Sequence, residues 1–279
     1  MRRERIAENI FVFTSDLYVQ VTAGVILTDE GAIVIDTLPF PQETVELKEF
    51  VRRHNQHGVR YVINTHHHAD HIYGNYLFPE AEFLAHERCR RALLRHGQQG
   101  LDEAKAQTPA LAEVRLCIPD VVFDRGELVV HLGGKSLYMM LTPGHTDDSI
   151  SILVKEDKVL FAADTLMPVP YIVFGEIEAM VDSLELISAM AVDSIVQGHG
   201  EVLLRGEVSE AIRTSIQYLE DIQERVRAAV ESGAPRESLQ RVGIEQCGKS
   251  RIPLNGLVQQ LHLTNLMHLY DKMVAAKST

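Results

Sequence analysis

The stretch Thr65-His66-His67-His68-Ala69-Asp70-His71 constrains this chain more than any other part of it. It sets four metal-capable side chains in the pattern H-x-H-x-D-H, directly after Tyr61-Val62-Ile63-Asn64, which reads as a short buried strand. If the chain leaves that strand extended, His66 and His68 project to one side, because side chains alternate with period two. Asp70 and His71 then follow on a turn and can face a second ion. His67 points away and is read as a supporting or packing residue. Neutral imidazoles suit zinc and other borderline divalent ions, and a carboxylate adds a charged ligand. A solvated histidine-rich loop is the plain alternative, but it does not explain why the pattern begins where a buried strand ends. One loop cannot supply a complete dinuclear ligand set, so the fold must bring other strand ends to the same place.

Three such ends carry suitable residues. Thr142-Pro143-Gly144-His145-Thr146 follows a strand ending at Leu141, and Gly144 permits the tight turn that aims His145. Asp164 follows the apolar stretch 159–163, and its two oxygens can bridge two cations. His199 sits between Gly198 and Gly200, after Ile195-Val196. Each is weak alone, yet three ligand types at successive strand ends form a coherent set.

The rest of the pattern describes the frame. Residues 10–13, 19–27 and 32–35 read as strands, with the last two joined by the turn Asp29-Glu30-Gly31. Pro41 starts a helix to about residue 57. A strand over 81–85 leads into a helix over 86–96, in which His86 is structural. Strands over 128–132 and 136–141 form a hairpin about Gly133-Gly134; two more cover 150–154 and 159–162. A helix over 181–190 and a strand over 194–197 complete the series. Strands in two groups, each trailing helices, imply an α+β fold of two sheets packed face to face with helices outside. From about Ser209 the strand signals stop. Ile212, Ile216, Leu219, Ile222, Val226 and Val230 recur at helical spacing, as do Leu254, Leu257, Val258 and Leu261. The expected division is a catalytic domain over 1–206 and a helical region over 207–279.

At this point the chain resembles the metallo-β-lactamase superfamily, through T-H-H-H-A-D-H, T-P-G-H-T, the A-D after a strand and G-H-G, in that order over about residues 8–205. The resemblance implies a four-layer αβ/βα sandwich with metals at one edge of the sheets. It implies that His66, His68 and His145 bind one ion, that Asp70, His71 and His199 bind the other, and that Asp164 bridges them. Two zinc ions are the first expectation, with iron or manganese as alternatives. Asp164 makes the site similar to the glyoxalase II, lactonase and thioesterase branches; many true β-lactamases lack that aspartate. His68 stands where flavodiiron oxidases carry glutamate.

The implied reaction is hydrolysis of an ester, thioester or lactone: a water bridging two ions becomes a hydroxide near neutral pH and attacks a carbonyl. Asp70 orients it and carries its proton, and Tyr171 is a candidate oxyanion donor, with cleft lining as its plainer role. A mononuclear iron persulfide dioxygenase on the same fold is the alternative. The formal net charge of −12 disfavours binding to a nucleic-acid backbone, so the expected partner is a small-molecule substrate. No apolar run approaches the ~18 residues of a membrane span. Cys89, Cys117 and Cys247 read as reduced thiols, and the expected setting is cytoplasmic. The last helices are expected to wall the cleft or to meet a second copy in a homodimer. Arg251 and His262 are their candidate substrate contacts, against a background in which Lys249-Ser250-Arg251 is a solvated turn and His262 and His268 lie on the surface.

Overall fold

Alternating faces along apolar strands organise the computed structural model, which describes residues 1–277. The first sheet holds β1 (Arg2–Ala7), β2 (Ile10–Thr14), β3 (Thr22–Thr28), β4 (Gly31–Ile35), β5 (Val59–Ile63), β6 (Glu82–His86) and β7 (Val121–Phe123), paired in sequence order. Pairing is antiparallel through β4 and parallel from β4 to β7. The second sheet comprises β8 (Glu127–Leu132), β9 (Lys135–Leu141), β10 (Ile150–Val154), β11 (Val159–Ala163), β12 (Ser194–Gln197) and β13 (Val202–Leu204), ordered β13-β12-β11-β10-β9-β8. Only its β11–β12 pair is parallel.

Ile33 and Ile35 face the second sheet, whereas Ala32 and Val34 face outward; Phe161 faces in, and Leu160 and Ala162 face out. Both faces of these strands are buried, which explains their near-continuous apolar runs. The sheets approach closely at Gly24, where a Cβ would sit 2.3 Å from the Phe161 ring. Seven α-helices complete the described chain: α1 (Pro41–His54), α2 (Ala69–Ile72), α3 (Glu87–Ala92), α4 (Gln98–Gln107), α5 (Ile177–Ser188), α6 (Arg205–Glu231) and α7 (Val258–Lys277). Leu47, Phe50 and Val51 of α1 cover the outside of the first sheet. Met180, Leu184 and Ile187 of α5, with Ile212, Leu219 and Ile222 of α6, cover the second. The result is the four-layer αβ/βα sandwich expected from the sequence.

Local departures have physical causes. The sequence shows no strand at β1, β7 or β13, which are edge strands, the first largely charged and the other two only three residues long; each forms because an apolar neighbour supplies its ladder. The expected strand over 19–27 begins only at Thr22, because Val19 and Gln20 adopt left-handed φ values of 46° and 53°. The helix expected to end near His96 continues through a π-helical turn, Leu93–Gly97, into α4. No helix among the described residues is long and apolar enough to cross a membrane.

The C-terminal helices pack on the second sheet, so the apolar face of α7 is covered within the chain: Val258, Leu266 and Leu269 join the same core as α5 and α6. Two expectations are corrected there. His262 is not on the surface; it is 3% exposed, with its ring nitrogens 3.0 Å from the Tyr218 hydroxyl and 3.0 Å from the Val242 carbonyl. Lys249 is not solvated either. Its Nζ donates to Ser215 Oγ at 2.9 Å and to Thr214 Oγ1 at 3.2 Å. Arg251 is exposed and pairs with Glu245.

Burial lowers the Lys249 ammonium to about 8, with Glu210 pulling the other way. Between about pH 8 and 10.5 the unfolded chain therefore binds more protons at this residue, and stability rises with pH across that window. Lys249→Met removes the buried charge. Its stability relative to the wild type is expected to be greater near pH 7 than near pH 10, by on the order of 1–3 kcal/mol in urea melts. A difference independent of pH would show that the ammonium is not penalised.

Candidate metal centre

All seven expected ligands meet at one edge of the two sheets. His66 and His68 follow β5, Asp70 and His71 lie on α2, and His145, Asp164 and His199 follow β9, β11 and β12. His66, His68, His145 and Asp164 form one group, and Asp70, His71 and His199 a second; in each, one ligand atom per residue lies within 4.8 Å of the others. Asp164 lies between them. Its Oδ2 is 3.3 Å from His145 Nε2 and 4.0 Å from His66 Nε2, and its Oδ1 is 3.3 Å from His71 Nε2. Asp70 Oδ2 is 3.3 Å from His199 Nε2.

The backbone enters this edge under strain. Ala163, immediately before Asp164, has φ 46°, and Asp36, immediately after β4, has φ 57°. Left-handed non-glycine residues cost about 1–3 kcal/mol each and cluster at functional sites. Crossing hydrogen bonds hold the edge: Ile150 N–H donates to Thr65 O at 2.9 Å, and Thr22 N–H to Gly198 O at 2.9 Å.

The second nitrogen of several imidazoles is engaged, which orients the first. His71 Nδ1 lies 2.7 Å from Asp36 Oδ2, His145 Nδ1 donates to Tyr171 O at 2.8 Å, and His199 Nδ1 donates to Val19 O at 3.0 Å. Asp36 is itself held by Thr65 N–H and Oγ1, at 2.9 and 2.7 Å. Such outer partners fix the ring and its tautomer. Three buried atoms aimed inward have no hydrogen-bond partner in the protein: His66 Nε2, His71 Nε2 and Asp164 Oδ1. Buried polar atoms are rarely left so, and this donor set of imidazole nitrogens and carboxylate oxygens fits divalent cations.

The electrostatics agree. Burial pushes His66 and His145 down and His68 to about 3, so these rings are neutral. Burial opposes the imidazolium of His199, but Asp164 and Asp70 outweigh it and push it up to about 10. His71 is raised in the same way by Asp164, Asp36 and Asp70. Burial would raise Asp70, yet His71 and His199 hold it at about 2. The carboxylates that favour a proton on His71 and His199 equally favour a cation between them.

A cleft of about 480 Å³ opens on this cluster and includes Tyr18, Tyr171, Phe174, Leu257 and Leu261 in its walls. Tyr171 thus lines the cleft, and its carbonyl orients His145. The start of α7 reaches the cleft through Leu257 and Leu261, whereas Arg251 and His262, the contacts expected from the sequence, do not line it. His67 also borders the cleft, with its backbone N–H and Nδ1 both 2.9 Å from the Asp148 carboxylate. His86 caps α3, accepting from Arg88 N–H at 3.2 Å.

Sequence reasoning missed Asp36, Asp148 and Tyr18. Asp36 follows the apolar Ile33-Val34-Ile35, the same strand-end position that singled out Asp164. Asp148 lies three residues beyond His145 and carries no comparable signal. Tyr18 rides a loop pinned by buried Glu43, which accepts from Ser15 Oγ at 2.5 Å and Asp16 N–H at 2.9 Å.

The family profile described as "Metallo-beta-lactamase superfamily" matches residues 18–206. A hydroxyacylglutathione hydrolase of Rhodopseudomonas palustris (strain BisB5) is 33% identical over 108 residues, 39% of this chain and 34% of that protein. The thioesterase pkgB of Emericella nidulans is 28% identical over 182 residues, 63% of this chain and 45% of that protein. The chain thus spans less than half the length of either relative. A metallo-beta-lactamase family protein from Thermus thermophilus superposes with a TM-score of 0.69 at 15% identity, covering 97% of this chain and 94% of that one. That likeness is one of fold.

Proposed function

The chain belongs to the metallo-beta-lactamase superfamily, and from that premise we propose that it is a dinuclear metal-dependent hydrolase of an ester, thioester or lactone. The observation that carries this reading is Asp164: its carboxylate reaches both histidine groups, Oδ2 toward His145 and His199 and Oδ1 toward His71, and Oδ1, His66 Nε2 and His71 Nε2 are buried without partners in the protein. His66, His68 and His145 would hold one ion, Asp70, His71 and His199 the other, and Asp164 both. Zinc suits these ligands, as do iron and manganese. When bound, such ions supply a polarised carbonyl and a water whose pKa falls toward neutrality.

The chain's own groups do the rest. Asp70 borders the cleft, and its carboxylate accepts the proton of the attacking water. Tyr18 and Tyr171 line the cleft, and burial raises both phenols, so each stays protonated and can donate to a developing oxyanion. Residues 1–206 supply the ligands in this reading, and 207–279 supply part of the cleft wall. The names of the relatives, a hydroxyacylglutathione hydrolase and a thioesterase, support hydrolysis of a thioester or a related bond.

Elemental analysis after reconstitution, paired with assays on thioesters, lactones and aryl esters, tests the proposal. About two ions per chain with hydrolytic turnover are expected. A stoichiometry fixed at one, with oxygen uptake on glutathione persulfide, would instead establish the mononuclear iron alternative.

A further inference from the structure

Beyond its ligands and His67, whose ring is paired with Asp148, the cleft is walled by aromatic and aliphatic side chains: Tyr18, Val19, Met167, Tyr171, Phe174 and Leu257. Among the described residues, no lysine or arginine lines it. Three cations of the C-terminal region are committed elsewhere. Lys249 faces a neighbouring cavity that adjoins the cleft at Met167 and donates to Ser215 and Thr214, Arg251 pairs with Glu245, and Lys272 pairs with Glu176. The chain also carries a formal net charge of −12, which two divalent ions leave negative.

The mouth is apolar too. Phe174 is 61% exposed, Tyr18 41% and Leu257 36%, and they come from three separate segments of the chain. Large apolar side chains exposed singly need no explanation, but convergence on one cleft marks a ligand surface. Phe174 is firmly placed. Glu176 N–H donates to Gly144 O at 3.1 Å, and a Cβ on the intervening Gly175 would lie 1.8 Å from that same oxygen. The Phe174 ring packs edge-on to His68, with centroids 5.0 Å apart, so it borders the position of the reacting bond.

We propose that this cleft takes an uncharged ester, thioester or lactone through an apolar acyl group, and discriminates against glutathione conjugates. The proposal rests on the hydrolase reading and names its substrate class. An acyl chain lying on Phe174, Tyr18 and Leu257 removes apolar surface from water on both sides. A glutathione moiety brings carboxylates into a cleft whose walls offer no lysine or arginine to pair with them, against the field of an acidic chain.

The test uses the metal-reconstituted protein with matched thioesters, S-hexanoyl-N-acetylcysteamine and S-hexanoylglutathione, and with acetyl and hexanoyl p-nitrophenyl esters. The uncharged thioester is expected to have a kcat/KM at least about tenfold above its glutathione counterpart. Lengthening acetyl to hexanoyl should raise kcat/KM by roughly fourfold for each methylene that becomes buried. Phe174→Ser with Leu257→Ser should remove most of that chain-length gain. The same double variant should weaken binding of octan-2-one to the metal-free chain by at least about tenfold in calorimetry. A glutathione thioester turned over as well as the uncharged one, or a flat chain-length profile, overturns the substrate assignment while leaving the hydrolase reading intact. No turnover of any of these compounds by a two-metal protein overturns the hydrolase reading itself.

Discussion

Asp164→Ala is expected to abolish the two-ion site and lower kcat by at least about 10²–10³-fold. Its carboxylate is the one that reaches both histidine groups, at 3.3 Å from His145 Nε2 and 3.3 Å from His71 Nε2. The group built on His66, His68 and His145 keeps three imidazoles, whereas that of Asp70, His71 and His199 loses one of its carboxylates. Occupancy should therefore fall more at the second group, read by metal titration of variant and wild type. Equal loss at both groups would contradict the assignment. The metal-free proteins offer a separate reading. Asp164 helps hold the His199 imidazolium up to about 10, so that contribution to stability is complete below about pH 6.5 and lost as pH rises through about 10. The stability advantage of metal-free wild type over variant should shrink across that window, measured by denaturant melts.

Gly198→Ala is expected to disrupt the same centre without replacing a ligand. A Cβ there would lie 1.8 Å from Asp164 Oδ1 and 2.7 Å from both Ala163 C and Asp164 N. The last two are backbone atoms, so no rotamer change relieves the contact. Gly198 N–H also donates to Ala163 O at 2.7 Å, where the register of the parallel β11–β12 pair shifts. The variant must separate these strand ends or expel the Asp164 carboxylate. The expected outcome is a stability loss of about 1–3 kcal/mol together with weakened metal binding. Gly100→Ala is the matched control: a Cβ there meets nothing within 4 Å, and the position lies inside α4. It should be neutral or stabilising by up to ~1 kcal/mol. Native metal affinity in Gly198→Ala would show that the Asp164 position is not critical.

The candidate ligand set was legible because its signals are local. His66, His68, His145, Asp164 and His199 each follow an apolar strand, and a strand end is where a chain turns from core to chemistry. Continuous apolar runs made the central strands visible, because both faces of those strands are buried. The supporting residues needed tertiary structure. Asp36 becomes meaningful only because the parallel pairing of β4 with β5 sets it beside Thr65 and His71. Asp148 acts on His67, 81 residues earlier in the chain, across two sheets.

The C-terminal region divides the two kinds of information most clearly. Spacings of three and four among Ile212, Leu219, Ile222 and Val226 determined from sequence alone that a helix with one apolar face lies there. They did not determine which surface that face would meet, nor how each helix would be aimed. Packing on the second sheet buried His262 and Lys249 and carried Leu257 and Leu261 to the cleft. The sequence by itself marked the candidate metal-binding side chains and the strand ends at which they stand. Only the tertiary structure decided what surrounds them, because helical periodicity specifies a face, whereas the direction of that face depends on contacts between residues far apart in the chain.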